Sequence, residues 1–317
     1  METVEAISDF FKYIFFPNLG ITLKNIGDHI TIFGIEIKFY GMVITLGFII
    51  AYLLVTREAK RTNQNPENYL DFMLVLIIPA ILGARLYYIL FRLDEYIVEG
   101  NLKETLLGML NIRNGGLAIY GGVIAGVITG VIFAKVRKLN LWQMADTATF
   151  GLLIGQILGR FGNFFNREAF GGYTDSLFAM GIPLDYYRND GTLKGLMADG
   201  VISDTMLANT QLIKGVECIT VHPTFLYEAF WNLMLLIFLF AYRKHQKFTG
   251  EFALIYVAGY GLGRSIIEGF RTDSLMIGNT GIRVSQLLGA ACFVIAGVIL
   301  ICHYIKYYKS KNKEKAA

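Results

Sequence analysis

A long apolar run that begins near residue 145 ends in Gly159-Arg160-Phe161-Gly162-Asn163-Phe164-Phe165-Asn166-Arg167-Glu168-Ala169-Phe170-Gly171. Arg160 therefore lies close to the end of a predicted membrane-spanning helix, where an ionisable side chain costs a few kcal/mol and usually has a role in binding or transport. Three more polar side chains follow where the chain should leave the hydrocarbon, namely Asn163, Asn166 and Glu168. The stretch predicts a polar cluster at the outer lip of a lipid-facing cavity.

Composition indicates a membrane protein. Of the 317 residues, 54% are hydrophobic and only 17% are charged, and the mean hydropathy is +0.48. Such a chain is too apolar for a soluble domain. The net charge of +4 is explained by where Lys and Arg fall, so we expect no nucleic-acid partner. Cys218, Cys292 and Cys302 have no metal-binding spacing and predict neither a disulfide framework nor a zinc site.

Seven apolar stretches have roughly the 17 to 22 residues that a helix needs to cross the hydrocarbon. We therefore predict an all-α fold, a polytopic membrane protein of seven transmembrane helices with a small outer-face subdomain. The predicted spans lie near 38–55, 71–91, 116–134, 145–163, 225–241, 251–269 and 284–303.

These spans define four predicted regions. Residues 1–171 hold an N-terminal interfacial helix, at 3–16, and the first four spans. Residues 172–221 form the outer-face subdomain, 222–303 hold the last three spans, and 304–317 form a basic cytoplasmic tail.

The distribution of Lys and Arg predicts the orientation. The connections 56–70, 135–143 and 242–250 are short and basic, as is the tail, so the N-terminus should lie outside and the C-terminus in the cytoplasm. This orientation brings side chains from three separate spans to the outer half of the membrane, namely Arg160, Glu168, Glu228, Arg264 and Glu268. Their common depth predicts one site.

Arg160 and Arg264 are the strongest candidates in that site. A guanidinium is permanently charged and presents a planar fork that suits a phosphate. The two arginines are predicted to hold an anionic head group while its acyl chains remain in lipid. The alternative is a structural ion pair with Glu168 or Glu268, and because Arg264 and Glu268 are one helical turn apart, the two roles are compatible.

Other candidates have two open interpretations each. Tyr40 opens the first span, where its phenol is either a donor to a phosphate or ester oxygen or an aromatic interface anchor. Arg85 is a third intramembrane charge, which either contacts substrate or partners a glutamate. His222 is either a base or thiol-orienting group or a structural hydrogen-bonding residue. Glu228 either positions Arg160 or Tyr227 or has a capping or buried-pair role.

The chain lacks several motifs of other enzyme classes. It has no HxxxH, HExxH or Asp-rich cluster on the predicted outer side, and no GxSxG elbow or nucleotide phosphate loop. We therefore expect no metal and no cofactor, and neither a hydrolase nor an ATP-driven pump.

The stretch 159–171 also resembles, without a mismatch, the signature of the prolipoprotein diacylglyceryl transferase family, membrane enzymes that load a diacylglyceryl group onto a lipoprotein cysteine. Further stretches resemble other motifs of that family, at 40–41, 115–122, 222–228 and 259–268, whereas 172–220 resembles none. With this resemblance, the predicted catalytic residues are Arg160, Arg264, Tyr120, Glu268 and His222. The predicted substrate-binding residues are Arg160, Asn163, Asn166, Glu168, Gly171, Tyr40, Arg85, Tyr227 and Glu228.

Two positions depart from the best-known form of the family. Tyr120 stands where that form has histidine, and a phenol with a pKa near 10 is a poor general base at neutral pH. The role of that histidine as a base is therefore not carried over to this chain. Phe225 stands where glutamine is usual.

The resemblance implies a reaction in the bacterial cell membrane. The sn-1,2-diacylglyceryl group of phosphatidylglycerol would pass to the lipobox cysteine of a preprolipoprotein, forming a thioether and releasing glycerol 1-phosphate. We hypothesise that the field of Arg160 and Arg264 activates the thiol, assisted by Tyr120 or His222. The alternative is a carrier or flippase for an anionic lipid, although the chain shows no convincing internal repeat of the kind common in transporters.

Overall fold

A computed structural model describes residues 10–98, 101–112, 115–278 and 280–316. The chain divides into two compact units. One unit comprises Met1–Ala51 and Thr149–Ala317, and the other comprises Tyr52–Ala148.

Helices make up most of the described chain. They are α1 (Phe39–Arg61), α2 (Glu67–Phe91), α3 (Leu102–Leu110), α4 (Ile119–Val136), α5 (Leu141–Asn166), α6 (Leu184–Asn189), α7 (Leu193–Ala198), α8 (Asp204–Ala208), α9 (Thr224–Tyr242), α10 (Glu251–Ile267) and α11 (Val284–Ala316). The strands are β1 (Ile14–Phe16), β2 (Ile21–Leu23), β3 (His29–Ile32), β4 (Ile35–Lys38), β5 (Met180–Pro183), β6 (Gln211–Ile213) and β7 (Val216–Val221).

Among the described residues, five helices are long and apolar enough to cross a membrane: α1, α2, α4, α9 with its 3₁₀ extension, and α11. These helices confirm a multi-pass membrane protein, but the predicted seven spans are not confirmed. Helices form at both remaining positions. However, α10 has only 17 residues, and α5 contains ionisable and amide side chains, such as Asp146, Gln156 and Arg160, that lower its hydropathy.

The all-α prediction needs correction, because a five-stranded antiparallel sheet is present in the order β2-β1-β5-β7-β6. Phe15 pairs with Gly181, and Ile182 pairs with Ile219. The strands are only three to six residues long, and β1 and β5 are far apart in sequence. Short strands whose partners are distant leave little periodic signal in the sequence.

The segment 172–221 supplies three of these strands together with the short helices α6, α7 and α8. Its core continues into the N-terminal residues and into α9, and the side chains at its centre are Ile14, Met180, Ile182, Ile219, Val221 and Phe225. All six are 1% exposed or less. The burial of this shared core holds the sheet against the start of α9.

The predicted interfacial helix at 3–16 is also corrected where the structure describes it. Residues Phe10–Lys12 form one 3₁₀ turn, and Ile14–Phe16 form a buried strand rather than a surface helix. Residues 3–9 lie outside the described residues. At the other end, α11 continues into the predicted basic tail as far as Ala316.

The second unit contains a close contact between α2 and α4. A Cβ atom on Gly121 would lie 2.2 Å from the carbonyl oxygen of Gly83, and a Cβ on Gly83 would lie 2.4 Å from Cβ of Ala125. Only glycine lets the two helices approach this closely, as small residues do in membrane helix pairs.

Candidate active site

Glu228 lies at the centre of a buried ionic cluster. Its Oε2 atom lies 2.7 Å from Nη2 of Arg160 and 2.9 Å from Nη1 of Arg264. These residues come from α9, α5 and α10, and Glu228 belongs to the first turns of α9, which begins directly after Pro223. The carboxylate side chain is 3% exposed, so water screens these contacts little.

A second carboxylate completes the contacts of Arg264. Its Nη2 atom lies 2.6 Å from Oε2 of Glu268, the ion pair expected from their four-residue spacing. Arg283, the residue before α11, donates from Nη1 to the backbone carbonyl of Glu268. Tyr260 donates its hydroxyl to the other oxygen of Glu228 at 3.3 Å. Arg264 is therefore fixed between two buried glutamates.

Arg160 is fixed by the signature itself. Its Nη1 atom donates to Oδ1 of Asn163 at 3.1 Å, and Nδ2 of Asn163 donates to Oε1 of Glu168 at 2.9 Å. Nδ2 of Asn166 donates to the same glutamate oxygen at 3.3 Å. The signature side chains therefore form one hydrogen-bonded chain. The alternative prediction was an ion pair with Glu168 or Glu268. In the described part of the chain, Glu268 forms this ion pair with Arg264, whereas the contacts of Glu168 are with Asn163 and Asn166.

The end of α5 explains how Glu168 comes within hydrogen-bond distance of Asn163 and Asn166. Arg167 has a left-handed backbone with φ of +49°, which ends the helix. Its guanidinium is fully buried and donates to the carbonyls of Lys12, 3.1 Å away, and Ile26, 2.5 Å away. Burial lowers the pKa of Arg167, but the carbonyls and the ring of Tyr186 below it still stabilise the charged form.

Tyr40 lies directly on the signature helix. A Cβ atom on Gly162 would be only 2.6 Å from Cδ2 of the Tyr40 ring, so the ring covers the glycine two residues after Arg160. The neighbouring Phe39 ring packs against Phe165 with centroids 5.1 Å apart. The structure therefore places Tyr40 beside the signature helix, and its role as a donor to substrate or as an interface anchor stays a prediction.

The backbone of Gly171 joins the signature to the 222–228 motif and to the residues that directly follow the 259–268 motif. Its N–H donates to the carbonyl of His222 at 2.8 Å, and Gly171 forms a bridge with Arg271. A Cβ on Gly171 would lie 2.5 Å from the carbonyl oxygen of Phe270 and 2.9 Å from Cβ of His222. The structure therefore gives Gly171 a backbone role, since no side chain fits there.

His222 lies beside the backbone contacts of Gly171. Its Nδ1 atom is 3.2 Å from the hydroxyl of Tyr227, and its ring packs against Phe270, two residues after Glu268. Burial lowers the pKa of His222 below its ordinary value, which favours the neutral imidazole. A neutral ring is able to accept a proton, which is a requirement for a base.

Arg85, in the second unit, is surrounded by backbone carbonyls. Its guanidinium donates five hydrogen bonds of 2.8 to 3.0 Å, to the carbonyls of Gly108, Met109, Asn111, Gly115 and Gly116. A guanidinium has five N–H donors, so all are used. The partners are carbonyls rather than the glutamate that one interpretation had predicted, and Arg85 organises the loop before α4.

Tyr120 lies in the first turn of α4, also in the second unit, with its ring 6.3 Å from that of Tyr87. The loop clamped by Arg85 ends only four residues before it, and Ala118 N–H donates to the carbonyl of Ala84 at 3.0 Å. Arg85 and α2 therefore fix the segment that presents Tyr120.

Sequence analysis did not identify Tyr260 or Arg283, both of which contact the glutamates of the cluster. Tyr260 lies one turn before Arg264 inside an otherwise apolar helix, and this spacing was an available signal. Arg283 lies outside the motifs, and its contact depends on how α11 follows α10. Among the described residues, no three His, Cys, Asp or Glu side chains gather as a metal site.

Exposure separates the two kinds of charge in the cluster. Glu228 and Glu268 are 3% and 2% exposed, whereas Arg160 and Arg264 are 18% and 15% exposed. Within the described chain, the contacts of each arginine occupy only part of its five N–H donors. The buried carboxylates hold the arginines in place, and the arginines are the more exposed members of the cluster. Such an arrangement suits an anionic group.

The fold and the cluster define a multi-pass membrane protein with a buried glutamate–arginine site. Residues 28–302 match the family described as prolipoprotein diacylglyceryl transferase. The chain belongs to the prolipoprotein diacylglyceryl transferase family.

Similar proteins span nearly the same length. A protein of Finegoldia magna is 39% identical over 288 residues, which cover 90% of this chain and 98% of that protein. One of Clostridioides difficile is 35% identical over 282 residues, covering 89% and 96%. One of Bacillus mycoides is 37% identical over 265 residues, covering 84% and 87%. Each is named phosphatidylglycerol–prolipoprotein diacylglyceryl transferase.

Proposed function

We propose that this chain transfers the sn-1,2-diacylglyceryl group of phosphatidylglycerol to the lipobox cysteine of preprolipoproteins, the first step of lipoprotein maturation. The names of its relatives support this activity. The observation that carries the proposal for the site is the shared carboxylate of Glu228, which holds Arg160 and Arg264 together from different helices.

The reaction needs stabilisation of a phosphate leaving group. The thiolate sulfur attacks the sn-3 carbon of the diacylglyceryl group, a carbon–sulfur bond forms, and the bond from that carbon to the phosphate oxygen breaks. Glycerol 1-phosphate leaves with the electron pair of that bond. Donors of Arg160 and Arg264 would bind the phosphate oxygens as negative charge develops, in a site with little water to compete.

Thiol deprotonation is the second requirement. The free thiol has a pKa near 8.5, and a positive field favours the thiolate. The two arginines would supply that field, and the thiol proton would pass to an acceptor, with His222 and Tyr120 as the candidate assisting groups. The burial of His222, which lowers its pKa and favours the neutral imidazole, supports its candidacy.

The finer arrangement is also proposed. The protein would lie in the bacterial cell membrane with seven spans, its N-terminus outside and its C-terminus in the cytoplasm. The segment 172–221 would lie on the outer face above the arginines. Phosphatidylglycerol and the lipobox segment, both amphiphiles, would reach the site from the surrounding bilayer.

The central experiment uses purified protein in phosphatidylglycerol vesicles with a synthetic lipobox peptide. Mass spectrometry measures the diacylglyceryl adduct, and a coupled assay measures released glycerol phosphate. Wild type should give both products. Arg160→Ala, and a peptide whose cysteine is replaced by serine, should give neither. Arg188→Ala is the matched control, because that arginine forms an exposed ion pair with Asp185.

The same vesicles test the alternative function. If wild type forms no adduct but moves labelled lipid across the bilayer in an Arg160-dependent way, the chain is a carrier. To test the assisting groups, Tyr120→Phe and His222→Gln are measured singly in single-turnover reactions over a range of pH. Unchanged rates for both variants at every pH would eliminate both residues as assisting groups.

A further inference from the structure

The β3–β4 hairpin has one apolar face. Ile30 pairs with Ile37 and Ile32 pairs with Ile35, and paired residues of an antiparallel ladder lie on the same side. The other side carries the pairs His29 with Lys38 and Thr31 with Glu36. Four isoleucines therefore form one face and polar side chains form the other.

A fully exposed aromatic side chain lies at the tip of this hairpin. Phe33 and Gly34 are its two turn residues, both with positive φ, as a type I′ turn requires. Phe33 is 100% exposed and Ile35 is 67% exposed. Apolar residues in such an exposed group usually mark a surface that binds lipid or protein.

The connection to α1 indicates lipid as the occupant. The hairpin ends at Lys38 and α1 begins at Phe39, so no loop separates the hairpin from this membrane helix. The first turns of α1 also carry exposed apolar side chains, such as Met42 and Leu46. Strands of four residues span only about 13 Å, which keeps the whole hairpin near the level where α1 begins.

The base of the hairpin is held firmly. Lys38 pairs with Asp28 at 2.6 Å, and Phe39 N–H donates to the carbonyl of Asp28 at 2.8 Å. The adjoining Tyr40 ring lies on Gly162 of the signature helix. The hairpin is therefore joined directly to the residues that pack beside the candidate site.

Backbone hydrogen bonding limits how deep this hairpin reaches. Both edges of a two-stranded hairpin carry unpaired N–H and C=O groups, which are not tolerated in the hydrocarbon centre. Lying flat at the interface lets water and head groups satisfy these edges while the isoleucine face meets acyl chains.

We propose that the β3–β4 hairpin lies flat in the lipid leaflet from which α1 begins, with Ile30, Ile32, Ile35, Ile37 and Phe33 among the acyl chains and Glu36 toward water. The hairpin therefore forms a lipid-contacting surface beside the arginine cluster. This placement does not depend on the proposed function, because it concerns lipid contact rather than transfer.

Tryptophan fluorescence in nanodiscs that hold one protein each tests the proposal. Phe33→Trp and Ile35→Trp are compared with Glu36→Trp, in lipids with and without bromine near the middle of the acyl chains, and the wild-type signal of Trp142 and Trp231 is subtracted. The matched control is Lys214→Trp. Lys214 and Gly215 form the corresponding positive-φ turn of the β6–β7 hairpin, which belongs to the five-stranded sheet.

The expected result is a blue-shifted emission that brominated lipid quenches for Phe33→Trp and Ile35→Trp, without quenching for Glu36→Trp and Lys214→Trp. Equal quenching at positions 35 and 36 would overturn the flat orientation. No quenching at position 33 would overturn lipid contact. In that case, a blue shift that appears only with several copies per disc would assign the face to a second copy. A blue shift that appears only with lipobox peptide would assign it to the preprolipoprotein.

Discussion

Arg160 and Arg264 reach the same carboxylate oxygen, Oε2 of Glu228, from two different helices, at 2.7 and 2.9 Å. Two cations so close would repel each other without the anion between them. Glu228 is therefore the residue on which the geometry of both arginines depends, although its own buried side chain is poorly placed to meet substrate.

The substitution Glu228→Gln tests this dependence. Amide replacement keeps the shape but removes the charge, leaving two partly buried guanidinium groups without their shared partner. Breaking a buried ion pair in this way costs about 3–5 kcal/mol, so unfolding should occur at a clearly lower temperature and transfer activity should be lost. Thermal unfolding in detergent and the adduct assay measure the two effects.

Glu217→Gln is the matched control for that variant. Glu217 pairs with Arg188 at 2.8 Å on the surface, with both side chains more than 40% exposed. Exposed pairs contribute about 0–1 kcal/mol, so this variant should unfold nearly as wild type does. Equal losses in the two variants would contradict a special role for Glu228.

Gly171→Ala should destabilise the protein by about 1–3 kcal/mol, because the new methyl group has to displace backbone atoms of Phe270. The adjacent Gly172→Ala serves as the comparison, since a Cβ there meets nothing within 4 Å. Its effect should stay within about 0.5 kcal/mol. Unfolding temperature and adduct formation should fall for the first variant only.

His222 gives a pH prediction. Its folded-state pKa is lowered by burial, so below the ordinary value near 6.5 the unfolded chain binds more protons than the folded chain. The contribution of His222 to stability therefore falls as pH decreases through that value. Unfolding temperatures are measured from pH 8 to pH 5, a range that extends about 1.5 units on each side of the ordinary histidine pKa. As the pH falls, the unfolding temperature should decrease more for wild type than for His222→Gln. Parallel curves would show that His222 titrates normally.

Arg85→Lys should loosen the loop before α4. Lysine has three donors against the five that Arg85 uses on carbonyls, and it lacks the planar fork. Amide hydrogen exchange in residues 115–118 should accelerate at least about tenfold, equivalent to about 1.4 kcal/mol of opening free energy. Arg137→Lys is the control, because Arg137 forms an exposed pair with Asp71. Unchanged exchange in Arg85→Lys would mean that the loop holds its shape without the clamp.

The parts of the site that could be predicted from sequence are those that depend on neighbours along one helix. The four-residue spacing of Arg264 and Glu268 predicted their ion pair. The polar residues after Arg160 predicted a cluster, and the structure joins Asn163, Asn166 and Glu168 through hydrogen bonds. Helical periodicity fixes such relations before any packing is known.

The apolar helices, the family and the arginines can be identified without a structure, because hydropathy and local motifs are properties of contiguous residues. Three features required the folded chain: the sharing of Glu228, the binding of carbonyls by Arg85, and the pairing of Ile14–Phe16 with the strands of 180–221 in one sheet. Each of these depends on segments far apart in the chain, and their contacts form only when the helices and strands pack together. No local pattern of side chains records that packing.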